Sequence, residues 1–529
     1  MTGTFYKRKS HLELLTKRIG ALKDGYRQNL AILGDELVGK TSLVFKLLES
    51  FYDPRTVVIY IETRPETVAS FTQRFIGVLL YNFLSVSGLI IKEDLAYLLN
   101  KSEKYIPRTV QKARFILSGL TKRNKGAAFG DLLSLCDIIY EETSKSCVVI
   151  FDEFHNLENL GFKDLYTQWS KMLVSQKTTM YIIISSRKAK ARAILAKELS
   201  LLFGNFEVIS VEPFDAADSE DYLYDRLRTT ELEAGLRNFI VHFTGGYPFY
   251  LDVISGILLK SGKDNLSVIM EELLFEPSGL LNQRFSSCLK QFLDSSLSQD
   301  YLSLLYLVSS GQNKINDLAH IMRKPKKEIL ARINYLVDTD SLNRSGDFLG
   351  INDRVFGFWL KFVHREKERS LTFDAKNQKA VFVACIDEMI NEFMRDSQKA
   401  VAERIGELFR LFTDDTILIE KKRLRLDRFR EIKLLNFPAK GFKEGLLGRS
   451  QDSVWIMAFK NELITEDDIL DFSRECKKYR NKLQQKIIVG LKSIDANARL
   501  RAMDEKISTW DLGNLNRLLD VYSRPRIIA

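Results

Sequence analysis

Asn29–Leu48 reads NLAILGDELVGKTSLVFKLL. An apolar run of strand character leads into Gly34. The eight residues Gly34, Asp35, Glu36, Leu37, Val38, Gly39, Lys40 and Thr41 then fit G-x-x-x-x-G-K-[ST], and the residues beyond them turn amphipathic at helical spacing. The glycines let the backbone curl so that successive N–H groups, backed by the dipole of the following helix, face a phosphate chain. Lys40 reaches the β and γ oxygens, and the Thr41 hydroxyl, with Ser42 beside it, supplies a ligand to Mg²⁺. The stretch is therefore read as an ATP-binding loop, with ATP and Mg²⁺ as cofactors. It leaves open whether the nucleotide is hydrolysed or only held as a switch.

A second stretch bears on that question. VVIFDEFHNL, Val148–Leu157, ends an apolar strand in Asp152 and Glu153. The first carboxylate suits the magnesium shell and the second suits a general base acting on water. A switch needs only the first; turnover wants both. Another strand closes in IIISSRKAKAR, Ile182–Arg192. Ser185 or Ser186 stands where a polar side chain would orient water beside the γ-phosphate, with Ser186 preferred. Arg187 either senses the phosphate or forms a surface ion pair. His155, after the acidic pair, is read as a loop histidine packed on the sheet, with contact to the water path as the alternative.

From Asn29 to Val211 short β-rich runs alternate with longer amphipathic stretches, the pattern of an α/β domain with a parallel sheet. The expected strands are NLAILG, TVVIYIE, SCVVIFDE, TMYIIISS and FEVISVE. Their near-continuous apolar character fits strands covered on both faces. A helical insert is expected from Glu66 to Glu142. After Pro213 the periodicity is wholly helical. From Ser298 the order is helix, helix, helix and a polar hairpin at NRSGD (Asn343–Asp347), that of a winged helix-turn-helix. The basic segment from Lys421 to Lys433 alternates like a strand, and the remainder is mixed α/β. The fold class is thus a P-loop parallel sheet with a helical lid, a winged helix and a C-terminal α/β domain. The expected domains are 1–212, 213–295, 296–370 and 371–529.

The chain has 529 residues, enough for several domains of roughly 100–200 residues each. Lys and Arg outnumber Asp and Glu by 79 to 69, a formal charge of +10, which permits a polyanionic partner without demanding one. Its five cysteines are scattered, with no CxxC, so a reducing compartment and no zinc are expected. No run approaches the roughly 18 apolar residues of a membrane span and no apolar leader follows the N-terminus. The expected location is cytoplasmic, away from membranes.

These motifs together resemble the archaeal-type AAA+/STAND-like P-loop ATPases, relatives of origin-recognition ATPases. The resemblance rests on the loop at Gly34, FDEF, SSR, LLFGNFEVISVEPF, GGYPFYL (Gly245–Leu251) and the closing INDRVFGFWLKF (Ile351–Phe362). It implies a helical lid that hinges over the nucleotide, with Gly246, Tyr247 and Pro248 near the adenine or as the lid contact. Two departures stand out. Asp35 and Glu36 occupy loop positions often basic in relatives and would repel a triphosphate unless they point outward. Asn205 stands where relatives frequently carry arginine, which leaves Arg187, Arg192 or Arg226 as substitutes.

The resemblance also implies a PD-(D/E)xK nuclease-like domain after the winged helix. That chemistry needs an Asp on one strand and Glu-x-Lys on the next to hold a metal and orient water. Here the second strand offers Ala458-Phe459-Lys460, and upstream stands Glu444-Gly445-Leu446. A scaffold that has lost catalysis is expected, with Glu462 and Asp452 the acids available to restore a site, and an unrelated α/β module as the alternative. Around the expected recognition helix, Arg323, Lys324, Lys326, Lys327 and Arg332 are candidate phosphate contacts, with Lys460 further on. The same charges also suit a solvated helix face or a winged helix used for protein contacts.

Three functions follow. The first is a slowly hydrolysing ATPase coupling nucleotide state to DNA or a partner protein, self-assembly included. The second is a switch that holds ATP and binds protein only. The third, least favoured because of Ala458, is an ATP-gated nuclease.

Overall fold

The computed structural model describes residues 5–528 apart from 86–90, 121–127, 201–205, 231, 262–264, 294–295, 370–373, 420–421, 438–440, 443 and 480–482. The chain divides into two compact units, Met1–Glu212 and Pro213–Ala529. Asn205 and Lys421 lie outside the described residues.

In the first unit five strands form one sheet: β1 Leu30–Leu33, β2 Thr56–Glu62, β3 Ser146–Asp152, β4 Thr179–Ser185 and β5 Glu207–Ser210. Their order is β2-β3-β4-β1-β5, and every pairing is parallel. This is the order typical of P-loop NTPases. Because β1 lies between β4 and β5, the segments that follow β1, β3, β4 and β5 leave the sheet at one carboxyl edge. That edge is where Gly34, Glu153, Ser186 and Val211 sit.

All seven residues of β4 are buried, which is why it reads as an unbroken apolar run. Helices Val68–Ser85, Leu95–Ser102, Pro107–Leu120 and Phe129–Thr143 contribute to a core that also contains Phe151, Trp169 and Tyr181. Trp169 is fully buried, with ring centroids 5.5 Å from Phe151 and 5.7 Å from Phe129. Truncating it to alanine costs about 3–5 kcal/mol.

The second unit begins with helices Ala216–Arg226, Ala234–Thr244 and Pro248–Ser261. Pro248 takes the first helical position, where its missing N–H costs nothing. Helices Ser298–Ser309, Ile315–Ile321 and Lys326–Asp338 precede the antiparallel hairpin β6 Leu342–Ser345 and β7 Phe348–Ile351. This is the order of three helices and a hairpin expected from the sequence. A second hairpin, β8 Asp415–Ile419 with β9 Lys422–Leu426, lies against the first. The Asp347 N–H donates to Thr416 O at 2.9 Å, and the Leu418 N–H to Ser345 Oγ at 3.2 Å.

The last sheet comprises β10 Glu431–Asn436, β11 Glu444–Arg449, β12 Val454–Lys460, β13 Leu483–Gly490 and β14 Ser508–Asp511, in that spatial order. The first three strands run antiparallel; β13 and β14 are parallel to β12. Alternation along β12 sends Trp455, Met457 and Phe459 to one core, with Ile405 and Leu408. It sends Val454, Ile456 and Ala458 to the other, with Ile469 and Phe472.

Helix Ala375–Ser397 lies past the expected boundary at 371. It packs nonetheless on the earlier helices: Phe393 stands 5.8 Å from Phe239 and 5.1 Å from His242, between ring centroids. His242 belongs to a buried charged cluster. The backbone N–H of Arg526 donates to His242 Nδ1 at 3.1 Å, and Arg354 and Arg526 both bond Asp520. Burial works to raise the Asp520 carboxyl, but the two guanidinium groups outweigh it and hold it at about 2.

Candidate functional site

Gly34 leaves no room for a side chain: a Cβ there would stand 2.2 Å from Val211 O, so the loop passes directly over the end of β5. Gly39, at φ 90°, supplies the left-handed turn that starts helix Lys40–Ser50. Lys40 heads that helix at 5% exposure and folds back, its Nζ donating to Asp35 O at 2.7 Å. Burial lowers the Lys40 pKa, against the carboxylates of Glu153, Asp152, Glu36 and Asp35, which raise it. Val38 is buried and its carbonyl accepts from Arg8 at 3.3 Å; Leu37 has φ 66°, and Ser42 is exposed on the helix.

The acidic strand end comes to this loop. Thr41 Oγ1 donates to Asp152 Oδ2 at 2.8 Å, and Tyr60 on β2 donates to the same oxygen at 2.7 Å. The Glu153 N–H donates to Asp152 Oδ1 at 2.9 Å. A hydroxyl and a carboxylate in contact, beside a lysine and a phosphate-type loop, fit Mg²⁺. That ion keeps several waters and takes one or two protein oxygens plus phosphate oxygens. Among the described residues no cluster of three or more His, Cys, Asp or Glu side chains arranged to hold a metal occurs, so a metal here would depend on phosphate ligands.

Glu153 sits at φ 50°, in the left-handed region, at the start of the short helix Phe154–Leu160. Its Oε2 accepts from Ser186 N at 2.9 Å and from Ser186 Oγ at 2.8 Å. Burial pushes its carboxyl up, while the Ser186 bonds and Lys40 pull down. Ser186 therefore engages the candidate base itself, where a contact to water was expected. His155 is buried, with Nδ1 2.9 Å from Ser185 Oγ and 3.3 Å from Glu153 Oε2. Burial, with Lys190 and Arg187 nearby, brings its pKa down to about 4, so the ring is neutral at pH 7.

Thr63 adds support that sequence patterns do not flag: its N–H and Oγ1 both donate to Asp152 O at 2.8 Å. The two acids of the loop separate. Glu36 is exposed, whereas Asp35 is held by Lys188, whose Nζ lies 2.7 Å from Oδ1 and 2.8 Å from Oδ2. Arg187 is half-buried, its N–H donating to Ser185 Oγ at 3.1 Å. Arg192 is exposed, and Arg226, in the second unit, pairs with Asp252 at 2.8 Å.

In the second unit Tyr247 is buried and its hydroxyl donates to Asn352 O at 3.4 Å, next to Pro248 at the helix start. The basic candidates divide. Lys324 and Arg332 are drawn onto Asp300, at 2.7 and 2.9 Å. Lys326 donates to Asn316 Oδ1 at 2.8 Å; it is exposed, as are Arg323 and Lys327. Lys460 is likewise engaged, 2.7 Å from Asp468, which also caps helix Glu466–Cys476.

Among the described residues, the acids expected for nuclease chemistry do not gather around Lys460. Ala458 is fully buried in an apolar core and pairs with Gly445. Glu444 pairs with Phe459, one position out of phase with Lys460, and so projects from the other face. Asp452 lies in the turn before β12, at the far end of that strand from Lys460, and Glu462 is exposed.

No family model matches the chain, and no curated protein matches it. Among solved structures the chain is similar to the following three. A Walker-type ATPase of Pyrococcus abyssi is 17% identical, with a TM-score of 0.48, and the match covers 67% of this chain and 96% of that one. For the ORC2 protein of Aeropyrum pernix, solved as ADPNP-ADP complexes, the values are 11%, 0.41, 74% and 95%. For the RuvB Holliday junction branch migration motor of Thermotoga maritima they are 10%, 0.29, 67% and 95%. Among the described residues no helix is long and apolar enough to cross a membrane.

Proposed function

We propose that the chain binds ATP with Mg²⁺ and hydrolyses it slowly, and that the second unit passes the nucleotide state to DNA or a partner protein. The observation that carries this is the Thr41–Asp152 contact at 2.8 Å with Glu153 next in sequence, which unites loop, metal-binding oxygens and base. Bound magnesium would supply charge neutralisation on the β and γ oxygens. The backbone N–H groups of Gly34–Thr41 hold phosphate, Lys40 leaves Asp35 O to become its counter-charge, and Asp152 and Thr41 hold the ion. Glu153, whose pKa burial raises, takes the proton of an attacking water once Ser186 lets go of its carboxylate.

That last condition supports slow turnover. It also favours the second reading, a switch that holds ATP, in which Glu153 stays on Ser186. Ser186→Ala tests the latch: release of a latched base speeds phosphate production, whereas loss of a water-orienting sensor slows it. Phosphate release that requires Mg²⁺ and disappears in Thr41→Ala supports hydrolysis; none above background retires it.

For the partner, exposed Arg323, Lys326 and Lys327 support DNA, while the pairing of Lys324 and Arg332 with Asp300 weakens that surface. Duplex affinity that falls as salt rises is expected, and absence of binding at low salt leaves a protein partner. The 371–529 region is proposed as a nuclease-shaped scaffold without catalysis, since Ala458 is core and Lys460 is paired. The lid at 213–295 and winged helix at 296–370 are proposed as the parts that respond to nucleotide.

A further inference from the structure

Two carboxylates in a phosphate-binding loop are an electrostatic liability, and Asp35 follows directly on Gly34. Asp35 draws lysines from two directions. Lys40 Nζ bonds its carbonyl at 2.7 Å, and Lys188 Nζ lies 2.7 and 2.8 Å from its carboxylate oxygens. Lys188 is 153 residues away in sequence, the first residue of helix Lys188–Lys197. It immediately follows Ser186 and Arg187, the segment that holds Glu153. The side chains of Asp35 and Lys188 are only 15% and 22% exposed, so water screens the pair poorly.

We infer that Asp35 and Lys188 form a charge clasp that lets an acidic loop accept a nucleoside triphosphate. Lys188 is a positioning residue: it cancels the carboxylate beside the phosphate cradle and ties the loop to the segment bearing Ser186. The inference rests on the ATP-binding reading of the loop. Without Lys188 the carboxylate loses that counter-charge, and the penalty grows with the charge of the phosphate chain. ATP then suffers more than ADP. A residue that merely braced the fold would weaken both alike.

Calorimetric titration of the full chain with Mg²⁺-ATP and Mg²⁺-ADP tests this. Lys188→Ala is expected to weaken ATP by about tenfold to hundredfold, and ADP by less. Adding Asp35→Asn to Lys188→Ala restores ATP affinity to within about threefold of the parent, since the clasp and the charge it cancels leave together. Lys188→Arg retains binding. Should Lys188→Ala fail to fold, the Lys188→Gln variant takes its place. The clasp is overturned if ATP binds Lys188→Ala as it binds the parent, if both nucleotides lose equally, or if the double variant stays as weak as the single. Lys40→Ala is the control: if the parent binds no nucleotide, or Lys40→Ala binds as well as the parent, the ATP-binding reading itself falls and takes the clasp with it.

Discussion

Two sheets in this molecule end in polar residues at the carboxyl edge of a strand, and they treat those residues in opposite ways. At the first, Lys40 is lowered, Glu153 raised and His155 brought down to about 4, each chiefly by burial. At the second, Lys460 closes on Asp468 at 2.7 Å, and the neighbouring inward position is filled by Ala458. Groups disturbed in this way beside a phosphate-type loop are candidates for work on a ligand, while the Asp520 cluster shows that an ion network within the fold shifts such groups as well. At the second edge the lysine is paired and the residue two positions before it is part of an apolar core.

The sharpest way to break the contrast is to restore the missing acid. Ala458→Glu is expected to destabilise the chain by about 3–5 kcal/mol, as an ionisable group forced into an apolar cluster does, and to produce no metal-dependent DNA cleavage. Denaturant unfolding and a nuclease assay with Mg²⁺ or Mn²⁺ read the two outcomes. Cleavage would overturn the scaffold reading. Next in size, Lys40→Ala removes a buried cation set among four carboxylates. ATP affinity should fall about a hundredfold, about 3 kcal/mol, with the fold intact by circular dichroism.

His155 gives a pH signature. Its folded pKa lies near 4 and its ordinary value near 6.5, so the unfolded chain binds the extra proton across that window. Stability therefore rises with pH between about 4 and 6.5 and is lost as pH falls through it. His155→Gln should remove about 3 kcal/mol of that pH dependence across the window, measured by unfolding at a series of pH values. The smallest effect belongs to the second edge. Asp468→Ala, which loses a helix cap and an ion pair, costs about 1 kcal/mol and leaves ATP turnover unchanged.

How much of this was legible in sequence follows from how local each signal is. The five strands of the first sheet and the phosphate loop are written in contiguous residues, so NLAILG and TMYIIISS were found within one or two positions. The hairpin at Asn343–Asp347 was legible for the same reason, and of the final sheet its mixed α/β character was. Side-chain partnerships were not. Lys188 is one of four basic residues in RKAKAR, with nothing local to single it out, and its partner Asp35 lies in another element. Tyr60 and Thr63 reach Asp152 only because β2 pairs with β3. The charges around helix Lys326–Asp338 were counted correctly as charges, but Asp300, which claims two of them, comes from helix Ser298–Ser309, two helices earlier. Ser186 was read as facing water; only tertiary structure brings Glu153 onto it.

The central claim is that Glu153 is a working base and not a spectator beside a magnesium-binding Asp152. Steady-state phosphate release by the parent chain and by Glu153→Gln, with ATP binding measured alongside, tests it most directly. The account predicts slow Mg²⁺-dependent release by the parent, a fall of at least about a hundredfold in the variant, and ATP binding retained in both. Equal rates in the two proteins, whether measurable or at background, would contradict it.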